Sequence, residues 1–109
     1  MKRTAFSVPA LINVLQHAHA VQHGMPVSYL IAFLLVAQEE GLGVNEYARR
    51  AGIRPFQMSR IMSKIGSRGD LNYRNMPAYG WIKSESAPGN AKRLTLTHRG
   101  TKFLSEIST

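Results

Sequence analysis

The sequence predicts a mainly α-helical chain carrying one small β-hairpin, in the order α-α-α-α-β-β-α. Three observations lead there. Apolar residues recur at helical spacing in four stretches between residues 7 and 65. A two-residue alternation replaces that period around residues 81–96, with Pro88 and Gly89 between its halves. After Thr97 the helical period returns.

The first helix is expected from about Ser7 to His23. Ser7 serves as its cap, Pro9 stands in its first turn, and Leu11, Val14, Leu15, Ala18 and Val21 form an apolar stripe. Gly24 and Pro26 end it. The second is expected from Ser28, as cap, to Glu40. Tyr29, Leu30, Ile31, Phe33, Leu34, Leu35 and Val36 make it apolar nearly all round, which places it at the centre of the fold. Gly41 and Gly43 close it.

Residues 44 to 61, VNEYARRAGIRPFQMSRI, carry the most information. Val44, Tyr47, Ala48 and Ala51 recur at helical spacing, Gly52 stands where a left-handed residue ends a helix, and Pro55 stands where another begins. Met58, Ile61, Met62 and Ile65 give that next helix one apolar stripe. Ala48 lets the two helices approach, and the turn needs a positive φ at Gly52. This is a helix-turn-helix, assigned to about 44–68. Gln57, Arg60, Lys64 and Arg68 occupy the face opposite the stripe, free to enter a groove.

Residues 69–80 have the composition of a loop, with two Gly, one Pro, two Asn and one Asp in GDLNYRNMPAYG. Extended runs at Trp81–Ser86 and Lys92–Leu96 then form the hairpin, in which Leu94 and Leu96 alternate with Arg93 and Thr95. Thr97 caps a last helix with Phe103, Leu104 and Ile107 on its apolar side. A helix-turn-helix followed by such a hairpin, here about 81–96, is a winged helix, and 109 residues suit one domain spanning 1–109.

Charge indicates the partner. The net charge is +8, from 14 Lys and Arg against 6 Asp and Glu. Residues 4–48 hold no Lys or Arg, whereas residues 49–102 hold 12 of the 14 and only two acids, Asp70 and Glu85. The excess coincides with the helix-turn-helix and hairpin, as expected of a chain that binds nucleic acid. With no cysteine, disulfides and thiolate metal sites are excluded. The start, MKRTAFSVPALINVL, does not read as a signal peptide. The longest apolar run, Tyr29 to Ala37, falls short of the roughly 20 residues that span a bilayer. No membrane partner is expected, and the cytoplasm, in association with the nucleoid, is the expected location.

Other chemistry finds little support. His17, His19 and His23 share a helix, but His17 and His19 point about 200° apart at 3.6 residues per turn, so a solvated face is favoured over zinc. No serine has a nucleophile-turn context and Asp70 is a lone loop acid. An enzyme is not expected, nor a cofactor. Met58 and Met62 read as core fillers.

The chain resembles the multiple-antibiotic-resistance regulator (MarR) family of bacterial transcription factors. The resemblance rests on the apolar second helix, on VNEYARRAGIRPFQMSRIMSKI, on Gly80-Trp81-Ile82, and on Leu96-Thr97-His98-Arg99-Gly100. It covers roughly residues 26 to 104, and the order of these segments is more specific than any one of them. It implies a homodimer whose recognition helices enter successive major grooves of a palindromic operator, with each wing at the neighbouring minor groove. Gln57, Ser59, Arg60 and Lys64 then match the recognition helix. Arg60 and Gln57 suit guanine and adenine, while Ser59, Ser63 and Lys64 hold phosphates. Arg49 and Arg50, with Arg54, Arg68 and Arg74, are expected near the DNA backbone. Lys83, Lys92 and Arg93 match a basic wing, with Asn90 at its tip.

Three departures stand out. Pro88, Gly89 and Asn90 replace the family's Asp-x-Arg wing tip. Some ten extra residues lie between Ile65 and Gly80, where Arg68, Tyr73, Arg74 and Tyr79 either touch the backbone or, as favoured for the tyrosines, pack the loop down. The chain stops nine residues after Gly100, short of the family's long C-terminal dimerisation helix, so the resemblance carries over no small-molecule site. The first and last helices remain as dimer surfaces, unless both are spent covering the second helix.

The expected function is a sequence-specific double-stranded DNA-binding transcriptional regulator, a repressor by promoter occupation. The alternatives are a winged helix that binds a protein, such as a phage-type accessory factor, and a non-specific DNA binder.

Overall fold

The computed structural model describes residues 7–66 and 79–108, with only the backbone at Asn90. Five helices and one hairpin follow in the expected order: α1 (Val8–Val21), α2 (Val27–Gln38), α3 (Val44–Ala51), α4 (Pro55–Ile65), β1 (Ile82–Ala87), β2 (Ala91–Leu96) and α5 (His98–Ile107). A 3-10 turn, Pro88–Asn90, joins the strands.

The helix boundaries follow local chemistry. The Ser7 hydroxyl accepts from the Ala10 N–H at 3.1 Å and starts α1. At α2 the cap position is Pro26, and Ser28 lies inside the first turn, because Pro26 is already extended and Val27 already helical. α3 ends on Gly52, with φ 71° and ψ 29°. The Gly52 N–H donates to the Arg49 carbonyl and the Ile53 N–H to the Ala48 carbonyl, the paired bonds that close a helix on a left-handed residue. α4 opens on Pro55, whose missing N–H costs nothing in a first turn.

The core lies between α2, α3, α4 and the hairpin. Phe33 and Val36 of α2, Tyr47 and Ala48 of α3, and Met58 and Ile65 of α4 are fully buried. The zero exposure of Ala48 shows the close helix approach that its small side chain permits. Phe33 lies 4.9 Å from the Trp81 ring and edge-on to Phe103 at 5.4 Å, while Phe103 stacks on Trp81 at 4.2 Å. Such pairs add about 0.5–1.5 kcal/mol each beyond area burial. The Tyr47 hydroxyl donates to the Glu39 carbonyl at 2.6 Å and accepts from the Leu42 N–H at 3.3 Å, tying α3 to the end of α2.

The hairpin is antiparallel, with Ile82 opposite Leu96, Ser84 opposite Leu94 and Glu85 opposite Arg93. Leu94 is buried and makes two backbone bonds to the α2–α3 link, to Gly41 and Leu42. Its other end is joined to α4: the Tyr79, Gly80 and Trp81 N–H groups donate to the carbonyls of Lys64, Gly66 and Ile65 at 2.8–3.0 Å. Two of the last carbonyls of α4, those of Lys64 and Ile65, are thereby satisfied, and the hairpin is held to α4 by backbone. Tyr79 packs, as favoured: it is buried, edge-on to Tyr29, and its hydroxyl donates to the Gln22 side chain. Tyr73 lies outside the described residues.

Two amphipathic expectations need correction. In α2 only Leu30, Ala32, Phe33 and Val36 are buried, and Val27, Ile31 and Leu34 form an exposed line. In α1 the expected stripe divides. Ala18 is buried and Val14 packs against the core, whereas Leu11 and Leu15 face outward beside Val8 and Ile12. The last helix is consumed internally, with Phe103 and Ile107 buried and Leu104 packed against the core, so it offers no free apolar stripe for a dimer.

Candidate nucleic-acid interface

α4 presents one face outward by simple periodicity. Taking about 100° per residue and Arg60 as zero, Ile61, Ile65, Met58 and Met62 fall between roughly 100° and 200°, the buried arc. The opposite direction is centred near Phe56, Arg60 and Ser63, with Gln57 and Lys64 on one flank and Ser59 on the other. The exposures agree: Phe56, Gln57 and Arg60 are exposed, and Ser59, Ser63 and Lys64 are half-buried. Arg60 makes no ion pair among the described residues; its guanidinium lies over the Phe56 ring, 5.5 Å from the centroid.

The two serines differ from a simple phosphate-holding pair. The Ser63 hydroxyl donates to the Ser59 carbonyl at 3.1 Å, so its proton is committed within the helix. Arg54 is exposed at the start of α4, and no side chain caps that end, leaving first-turn N–H groups open.

The arginines of α3 are engaged. Arg49 forms a two-bond pair with Glu46. Arg50 bonds Glu46 at 2.9 Å and Glu39 at 2.8 Å. The Arg49 and Arg50 guanidiniums hold the Glu46 carboxyl down to about 2. Arg49 remains largely open, with 71 % of its side chain exposed, and Arg50 is the more enclosed at 30 %. Glu39 and Glu46 therefore offset part of the positive field on this side.

The hairpin divides the three wing cations. Cross-strand register places Lys83 and Arg93 on one face with Glu85, and Lys92 on the other with Leu94. Lys83 and Glu85 are 3.5 Å apart, so the first face carries a single net positive charge. Asn90 lies in the turn. Arg68 and Arg74 lie outside the described residues, as does Asp70.

Phe56 is an exposed residue of this face that the charge pattern of the sequence does not single out. Its signal was present: it stands four residues before Arg60 and opposite Met58 and Ile65, so the same count that exposes Arg60 exposes Phe56. The helix count also moves Gln57 from the centre of the face to its flank.

Elsewhere, His17 Nδ1 is bonded to the Asn13 carbonyl at 2.8 Å, and His19 and His23 stack at 4.2 Å. No group of three potential metal ligands occurs among the described residues. No helix among them is long and apolar enough to cross a membrane.

A helix-turn-helix whose second helix is backed by the core and flanked by a hairpin defines the winged-helix class of folds. Two solved structures share it. The crystal structure of RV1404 from Mycobacterium tuberculosis superposes with a TM-score of 0.67 at 11% identity, over 99% of this chain and 76% of that one. The structure of disulfide-formed AbfR superposes with a TM-score of 0.51 at 17% identity, over 92% of this chain and 66% of that one. At these identities the likeness establishes the fold. No family model and no curated protein matches the sequence.

Proposed function

We propose that this chain is a single-domain, MarR-like transcriptional regulator that binds double-stranded DNA sequence-specifically and acts as a repressor by occupying a promoter. The observation that carries this reading is the outward face of α4, where Arg60 and Gln57 are exposed on a helix anchored from behind by Met58, Ile61, Met62 and Ile65. A helix so mounted enters a major groove with its side chains already placed. Arg60 reads guanine through its fork of donors and Gln57 reads adenine from the flank. Arg49, Arg54, Ser59 and Lys64 meet phosphates, with Arg50, Arg68 and Arg74 as further backbone contacts. The wing lies on the backbone or minor groove, with Lys83 and Arg93 on one face, Lys92 on the other and Asn90 at the tip. The shared fold of the two solved structures supports the class and leaves the operator to be found.

A second copy of the chain completes the reader, because one recognition helix covers only a few base pairs. The supporting surface is the exposed line Val8, Leu11, Ile12 and Leu15 on α1. The regulator acts in the cytoplasm, at the nucleoid, and needs neither cofactor nor catalytic group. Selection of duplexes from a random library with purified protein tests the reading. A selected palindromic sequence should bind at least about 10³-fold more tightly than random duplex at physiological salt. Equal affinity for all duplexes would make the chain a non-specific binder, and feeble affinity for every duplex would make it a protein-binding winged helix.

A further inference from the structure

We propose that Phe56 is a base-reading residue whose ring receives the C5-methyl group of a thymine, one or two base pairs from the guanine contacted by Arg60. The proposal rests on the regulator reading and specifies part of its operator. Phe56 is 68% exposed, the most open of the large apolar side chains described. The other apolar residues of α4, Met58, Ile61, Met62 and Ile65, are all buried, so the core does not need this ring. It stands at the centre of the outward face with Arg60, and the third central residue, Ser63, has its hydroxyl proton committed to Ser59.

Ring and guanidinium form one composite surface. The 5.5 Å separation between the Arg60 Cζ and the Phe56 centroid lies within the ~6 Å range of cation–π attraction. The ring thus supports the guanidinium from one side. Among the four bases only thymine offers a methyl group in the major groove, and only guanine offers the paired O6 and N7 acceptors. An aromatic ring beside a guanidinium therefore complements a thymine near a guanine. The spacing follows from the helix: four residues rise about 6 Å. Bases along a strand are about 3.4 Å apart, so the two contacts fall one or two steps from each other. The basic residues around the pair, Arg54 and Lys64, favour a polyanionic partner over a neutral apolar one.

The test begins with the duplex selected by the purified protein. Each thymine in turn is replaced by deoxyuridine, which removes the C5-methyl and nothing else, and affinity is measured by fluorescence anisotropy for the native protein, Phe56→Ala and Phe56→Leu. One thymine per half-site, within two base pairs of a guanine, should lose about fourfold in affinity for the native protein, the equivalent of ~0.8 kcal/mol for one buried methyl-sized group. Phe56→Ala should bind the thymine duplex more weakly and show no further loss with deoxyuridine, and Phe56→Leu should keep part of the effect. Circular dichroism of both variants should match the native spectrum, since the side chain is outside the core. A selected duplex with no methyl-sensitive thymine, or a methyl effect that persists in Phe56→Ala, overturns the assignment while the regulator reading stands. Failure to enrich any sequence overturns both.

Discussion

Replacing Gly100 by alanine drives a methyl group into the backbone of Trp81. A Cβ at this position would lie 2.1 Å from the Trp81 carbonyl oxygen and 3.0 Å from its carbon. Carbon–oxygen contacts need roughly 3.3 Å, so one backbone must move by about 1.2 Å. Neither is free to do so. The Trp81 carbonyl accepts from the Thr97 N–H at 2.9 Å, its N–H donates to Ile65 at 2.8 Å, and its ring is stacked on Phe103. The Gly100 N–H is itself bonded to the capping Thr97 hydroxyl at 2.9 Å. Overpacking of this kind costs ~1–3 kcal/mol, and disturbing the cap costs about 1 kcal/mol more. Helix propensity acts in the other direction and favours alanine by up to ~1 kcal/mol. The net expectation is a loss of about 1–3 kcal/mol, which for a chain of this size lowers Tm by roughly 5–20 °C. Thermal and urea unfolding followed by circular dichroism measure it. A Tm equal to or above that of the native protein would show that α5 and the segment leading into the wing do not touch as described.

Three further outcomes are expected. Tyr47→Phe removes the hydroxyl that joins the Glu39 carbonyl to the Leu42 N–H, and urea unfolding should show a loss of about 1–3 kcal/mol; an unchanged midpoint would mean that water replaces both bonds. The Glu46 carboxyl is held at about 2 against an ordinary 4.5, so its contribution to stability is present above pH 4.5 and disappears as pH falls toward 2. Glu46→Gln should accordingly flatten that part of the acid-unfolding curve, and an unaltered curve would remove Arg49 and Arg50 as the cause. Leu15→Glu places a charge on the exposed line of α1, where Leu15 is 54% exposed. It should convert the protein to a monomer in sedimentation with an unchanged circular-dichroism spectrum, and a native protein already monomeric at micromolar concentration would contradict the dimer.

The helix-turn-helix was legible because its signals are local. Gly52 and Pro55 punctuate the chain, and Met58, Ile61, Met62 and Ile65 fix which side of α4 is anchored. The hairpin and the Thr97 cap were legible for the same reason. What covers an apolar stripe is not a local property. Periodicity shows that α1 has apolar sides, yet only the packed chain shows that Val14 and Ala18 face inward while Leu11 and Leu15 remain open, and that α5 spends Phe103 and Ile107 on the core. Ion pairs between elements are equally hidden: Arg50 reaches Glu39 from the next helix, so counting its charge as free overstated the basic surface. Lys92 and Arg93 are neighbours in sequence and therefore on opposite faces of the hairpin, which strand alternation already implied. Phe56 is legible in principle from the helical count, but an apolar residue on a polar face carries no charge signal.

In the proposed regulator, α4 reads bases while the residues around it hold the backbone. Anisotropy titrations of Arg60→Ala and Arg49→Ala against the selected duplex and a random duplex, over a range of salt, measure this division directly. Arg60→Ala should cut the ratio of specific to random affinity by about 10-fold or more, as expected for a lost bidentate base contact of ~1–3 kcal/mol. Arg49→Ala should weaken both duplexes alike and reduce the salt slope by about one. An equal loss of preference in both variants, or no loss in Arg60→Ala, would contradict the assignment of α4 as the reader.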